Sequence, residues 1–125
     1  REPLNGIEAI LPVPENLYHW FASPQSAIRF LRHAAKLDFK KLGNRRSLNL
    51  PGVSCSISEQ ILALEEIAGT KTSKLIKKIP DKKIEDIVNN WPQNFMADRA
   101  IELGFVADKD FKDIIQIYIN EEINT

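Results

Sequence analysis

The chain has 125 residues, 43% hydrophobic and 27% charged, the composition of one ordinary globular domain with a modest core. Seventeen basic residues against seventeen acidic ones leave no net charge, so the basic surplus of a nucleic-acid binder is missing. No apolar run is long enough to cross a bilayer, and the lone Cys55 can close no internal disulfide, a usage compatible with a reducing cytoplasm. The first residues carry no signal-peptide pattern, and the first of all is Arg1 rather than Met, which leads us to expect a processed, truncated or partial chain.

In chain order, residues 1–5 followed by Gly6 read as the last turn of a helix ending at a C′ glycine. Residues 7–13, closed by Pro12 and Pro14, read as an edge strand, and Pro14-Glu15-Asn16 as a turn. Residues 17–22 are aromatic-rich and predict a strand. Ser23-Pro24 then supplies an N-cap hydroxyl and a proline at the first helical position, so the strand runs straight into a helix. Ala27, Ile28, Leu31, Ala34 and Ala35 fall at helical spacing and predict its buried face, and Gly43-Asn44 marks the stop. The alternation in 45–50 predicts a half-buried strand and Pro51-Gly52 a turn.

Ser56 and Glu59 form a capping-box pattern for a helix burying Ile57, Ile61, Leu64, Ile67 and Ala68 and stopping at Gly69. The lysine-rich 71–83 segment predicts a helical turn and then a strand at 75–79. Asp81 caps the next helix, through Ile84, Ile87 and Val88, and Trp91-Pro92 ends it with a buried indole. A short helix over 97–103 finishes at Gly104, with Phe105 folding back on it. Asp108 opens the final helix, whose stripe is Phe111, Ile114, Ile115, Tyr118 and Ile119.

Self-sufficient chemistry is missing. The five glycines are too far apart for a phosphate cradle, one cysteine and two histidines give no zinc cluster, and no lysine follows either tyrosine by four. His33 reads as a partly packed or solvated helix residue, Cys55 as buried, and Arg45-Arg46 and the 71–83 lysines as a solvated face. His19, Trp20 and Ser23 lie toward the carboxyl end of a strand that enters a helix, where ligands tend to sit, and are the candidate substrate contacts.

The ordered stretches Arg1-Glu2-Pro3-Leu4, Pro12-Val13-Pro14, Trp20-Phe21-Ala22-Ser23-Pro24, Leu50-Pro51-Gly52, Trp91-Pro92 and Leu103-Gly104-Phe105 carry a resemblance. Together they resemble the C-terminal half of extended short-chain dehydrogenases, the NAD-dependent epimerase/dehydratase superfamily, and within it the D-erythronate dehydrogenase-like group. The resemblance implies an α/β fold: residues 1–125 as the substrate-binding C-terminal portion of a Rossmann-type enzyme, with short strands and several packed helices. It implies NAD, or NADP, bound by an N-terminal Rossmann domain outside this chain, and catalytic groups there too. No catalytic, cofactor-binding or metal-binding residue is therefore expected here, and this piece alone is expected to be inactive. The implied substrate is a small sugar acid, in a cytoplasmic homo-oligomer that meets neither nucleic acid nor membrane. Asn16-Leu17-Tyr18 stands where nucleotide-sugar members tend to carry an Arg-Asp-aromatic start. Losing that guanidinium argues against a diphosphate-linked sugar. The alternatives are a nucleotide-sugar epimerase or dehydratase portion and a stand-alone, non-catalytic binding or assembly module.

Overall fold

The computed structural model describes residues 1–123 as an α/β arrangement of short strands among helices. A 3₁₀ turn at Pro3–Asn5 ends at Gly6 in the left-handed conformation, as the opening residues predict. β1 (Ala9–Leu11) follows, then β2 (Tyr18–Phe21), which enters α1 (Pro24–Lys36) through the Ser23 cap. A four-residue α2 (Phe39–Leu42), capped by Asp38, precedes β3 (Val53–Ser56) and α3 (Ile57–Ala68). The order continues with α4 (Thr70–Ser73), β4 (Ile76–Lys78), α5 (Lys82–Val88), α6 (Asp98–Glu102) and α7 (Phe111–Tyr118), which runs on into a π turn at Ile119–Ile123.

Two separate two-stranded ladders result. β1 pairs parallel with β4, Ile10 opposite Lys77, and β2 pairs antiparallel with β3, His19 opposite Cys55. Gly52 makes the second ladder possible. A Cβ there would stand 2.6 Å from the Phe21 carbonyl oxygen and 2.7 Å from Trp20 Nε1, so only glycine lets the 51–52 turn approach β2.

Two apolar clusters hold these pieces. In one, Phe30 of α1 meets Ala100 and Phe105, with Leu37, Leu48, Leu50 and Leu103 around them. The end of α6 builds that cluster. The Gly104 N–H donates to the Ile101 carbonyl (2.9 Å) and the Phe105 N–H to the Ala100 carbonyl (3.0 Å), the two bonds of a Schellman motif. Gly104 takes φ +91°, and Phe105 turns back onto the core. In the other cluster Ala63 and Leu64 of α3 pack on Ile115 of α7, with Ile67, Ile76 and Phe111 beside them. The capping box of α3 is formed in both directions, Ser56 accepting from the Glu59 N–H and Glu59 from the Ser56 N–H.

Five sequence expectations are corrected. First, residues 45–50 form no strand. Leu48 and Leu50 do pack against the Phe30 cluster, so the alternation is real, but these residues join no ladder. Second, α1 buries Ser26 and Phe30, not the predicted face: Ala27, Ile28, Leu31, Ala34 and Ala35 are all exposed, Leu31 by 73%. The buried stripe looks half-polar in sequence because Ser26 and His33 hide their polar atoms in hydrogen bonds. Third, the helix expected to run on to Gly43 stops at Lys36, where Leu37 turns to extended backbone, and a separate α2 covers Phe39–Leu42. Fourth, Trp91 is 55% exposed rather than buried. Fifth, Asp108 does not open α7. Asp110 is the cap, accepting from the Asp113 N–H at 2.9 Å.

The stripe reversal on α1 can be measured. Phe30→Ala is expected to cost about 3–5 kcal/mol in urea unfolding, while Leu31→Ala changes stability by no more than about 0.5 kcal/mol.

Candidate functional site

The β2–α1 joint is held by a buried carboxylate. Asp108, on the segment before α7, is 5% exposed and lies against Ser23 and Ser26, both buried. Its Oδ2 accepts the Ser23 N–H at 2.7 Å; its Oδ1 accepts the Ser23 hydroxyl at 2.7 Å and the Ser26 hydroxyl at 2.6 Å. Arg29 Nη2 stands 3.6 Å from Oδ1 and donates to Ser26 Oγ. Ser23 Oγ also accepts the Ser26 N–H at 3.0 Å, so one hydroxyl serves the helix cap and the carboxylate together. Burial opposes ionisation of Asp108 most, but the Ser23 N–H, the Ser26 and Ser23 hydroxyls and Arg29 jointly outweigh it and hold the carboxyl below its ordinary value.

Aromatic contacts cover both faces of β2, since neighbouring strand residues point to opposite sides. His19 stacks with Phe21 at 6.3 Å and meets Trp91 at 5.6 Å; Trp20 meets Phe95 edge-on at 5.8 Å. His19 Nε2 is buried without a hydrogen-bond partner. The segment carrying Trp91 and Phe95 is tied to β3 by the Ser54 hydroxyl, which donates to the Gln93 carbonyl at 2.7 Å. Phe21 also packs edge-on against Phe111, which borders an open, mostly apolar cavity of about 610 Å³. Pro24, Ile57, Leu64, Ile114 and Tyr118 help line it, and Gln60, whose buried Nε2 has no partner, adds a polar group from α3.

Of the three candidate contacts, the structure puts His19 and Trp20, both half-buried, on opposite faces of β2, against Trp91 and Phe95 respectively. Ser23 is committed inside the protein to Asp108. None of the three lines the large cavity; Pro24, next to Ser23, does. Sequence reading missed Asp108 as the anchor of the joint, since an aspartate just before a helix reads as a cap. Spacing alone could not have paired it with Ser23, 85 positions away. His33 is partly packed, as expected: its Nε2 lies 2.7 Å from the Leu103 carbonyl and its ring edge-on to Phe105 at 4.6 Å. Cys55 is buried, and burial, aided by the Glu59 carboxylate, pushes its thiol up to about 11. That excludes a reactive thiolate at neutral pH.

Among the described residues no three His, Cys, Asp or Glu side chains gather to hold a metal ion, and no helix is long and apolar enough to cross a membrane. The glycines do not fit a dinucleotide. Gly6, Gly43, Gly69 and Gly104 each end a helix or turn at positive φ, and Gly52 is filled by Trp20, which leaves no run of backbone N–H groups to cradle phosphates.

No protein-family model matches the chain. Two curated relatives do. The D-erythronate dehydrogenase of Cupriavidus necator is 36% identical over 97% of this chain, and that of Haemophilus influenzae 33% identical over 98%. The chain spans 37% and 39% of their lengths, in their C-terminal parts. Among solved structures, one described as the nucleoside-diphosphate-sugar epimerase from Agrobacterium tumefaciens matches with a TM-score of 0.97 and 48% identity. It covers 99% of this chain and 36% of that one. A consensus L-threonine 3-dehydrogenase shares the fold, with a TM-score of 0.80 at 21% identity.

The Asp108 arrangement predicts a pH dependence. A carboxyl depressed on folding contributes stability that is fully present above its unfolded value, about 3.9, and is lost as pH falls through its folded value. Asp108→Asn is expected to lower stability at pH 7 by about 1–3 kcal/mol and to flatten the acid limb, as read by thermal unfolding from neutral to acidic pH. For Cys55, alkylation by iodoacetamide at neutral pH is expected to be slow until denaturant opens the fold.

Proposed function

Since the chain corresponds to the C-terminal part of proteins of the epimerase/short-chain dehydrogenase family, we propose that it is the substrate-side portion of an oxidoreductase. The reaction proposed for the whole protein is oxidation of a secondary alcohol of a small sugar acid of the D-erythronate kind, with NAD as acceptor. The observation that carries this reading is the end-to-end match to two D-erythronate dehydrogenases, at 97% and 98% of this chain. The absence of a phosphate cradle among these glycines supports assigning the cofactor, NAD or NADP, and the proton-transfer groups to another part of the protein. In this reading residues 1–125 are one substrate-binding unit that is inactive alone. Its exposed apolar α1 face packs against the remainder of the protein or another copy, giving a cytoplasmic homo-oligomer.

Three residues have assigned roles. His19 offers the unpartnered Nε2 to a substrate hydroxyl or carboxylate, and Trp20 supplies an apolar contact from the other face of β2. Ser23 acts through the Asp108 bond that fixes the strand-to-helix joint. A nucleotide-sugar epimerase portion is the second reading, favoured by the 48% identity to the Agrobacterium structure. Against it, Asn16-Leu17-Tyr18 offers no guanidinium to a diphosphate.

The test is turnover by the complete natural gene product that carries this chain. NADH formation with D-erythronate, with no conversion of UDP-sugars, is expected; the reverse pattern overturns the proposal. This chain purified alone is expected to form no NADH. His19→Ala in the complete protein should raise KM by roughly threefold to tenfold, the loss of one hydrogen bond.

A further inference from the structure

A second concavity, of about 300 Å³, opens between the flank of α1 and the 104–106 turn, and it shares no lining residue with the large cavity. Arg29, Arg32, His33 and Lys36 line it from α1. Their spacing of three, four and seven residues puts them on one side of the helix. Phe105 and the exposed Val106 form the opposite wall, and no carboxylate lines the cleft. Arg29 is partly neutralised by Asp108 behind it. Among the described residues, Arg32 and Lys36 lie within salt-bridge distance of no carboxylate.

His33 is held in place at the cleft. The Leu103 carbonyl can only accept, so the imidazole donates from Nε2 and the ring is fixed against the 103–105 turn. The fit depends on Gly104, because a Cβ there would stand 3.2 Å from the imidazole. Attraction to the carbonyl end of the α1 dipole accounts for His33 and Lys36, which lie in its last turn. It does not account for Arg29 and Arg32 further back, nor for an apolar-walled cleft in front of all four.

We propose that this cleft binds a small phosphate monoester. Arg32 and Lys36 are its charge partners and hydrogen-bond donors, and the Phe105–Val106 wall receives its organic part. Two unneutralised cations match the charge of about −2 that a phosphate monoester carries near neutral pH, and a single carboxylate would leave one of them unmet. This site in an otherwise neutral chain is independent of the oxidoreductase reading.

The experiment is calorimetric titration of the complete natural gene product with phenyl phosphate and with benzoate at low ionic strength, where surface charge is least screened. Phenyl phosphate is expected to bind, and benzoate to bind more weakly or not at all. The double variant Arg32→Glu/Lys36→Glu, altered at two exposed positions, should weaken phenyl phosphate by about tenfold or more, equivalent to about 1.4 kcal/mol. The double variant Lys71→Glu/Lys74→Glu, with the same change in net charge on α4 and its C-cap, should leave it unchanged. No binding of phenyl phosphate, benzoate binding as tightly, or equal losses in the two double variants would each overturn the proposal.

Discussion

One carboxylate holds the strand-to-helix joint at which the candidate site begins. Asp108 is taken out of water and could not stay ionised there on its own; a buried charge persists only when hydrogen bonds and an opposite charge replace its hydration. Ser23 and Ser26 provide the hydrogen bonds from the first turn of α1, and Arg29, one turn on, provides the charge. The same contacts define where α1 starts and how it is rotated. Ser26 facing Asp108 brings Phe30 and His33 inward, toward Phe105, and sends Ile28 and Leu31 outward. A polar interaction thereby sets which face of the helix meets the core, against the preference that hydrophobicity alone would express.

The His19 face of β2 leads to the large cavity. Phe21 ends β2 and touches Phe111 at the rim of the cavity, while His19, two residues earlier on the same face, stacks with Phe21 and meets Trp91. Trp20 lies on the other face of the ladder, and Gly52 lets its indole lie across the turn that starts β3. Two polar atoms, His19 Nε2 and Gln60 Nε2, are buried without partners in this region. An unmet donor or acceptor costs free energy in a folded protein, and such atoms gather where a ligand or a neighbouring surface completes the bonding.

The α1 helix therefore has three distinct sides. One is anchored by Asp108 and packed on Phe105, one is apolar and open, and one is basic along Arg29, Arg32 and Lys36. Net charge cancels over the chain as a whole, so the local field at this helix cannot be read from the total. Several lysines elsewhere are ion-paired: Lys78 with Glu15, Lys82 with Asp86 and Lys112 with Glu66.

The sequence by itself determined the local events: the Ser23-Pro24 start of α1, the Ser56–Glu59 box of α3, the Gly104 end of α6 and the strand at Ile76–Lys78. The Ser56–Glu59 box and the Gly104 end are set by neighbours within a few residues; the Ser23 cap is also held by Asp108, and the strand at 76–78 is completed by its parallel partner β1. Ordered short stretches also carried the family likeness. What only the tertiary structure decided were the relations between distant segments. Leu48 and Leu50 alternate as a strand does, yet they pack on the Phe30 cluster and join no ladder. Asp108 looks like a cap, yet its partners lie 85 and 82 positions away. Whether Ser26 or Ile28 faces inward depends on that distant carboxylate, because a satisfied polar side chain can be buried at little cost and an apolar one can stay exposed.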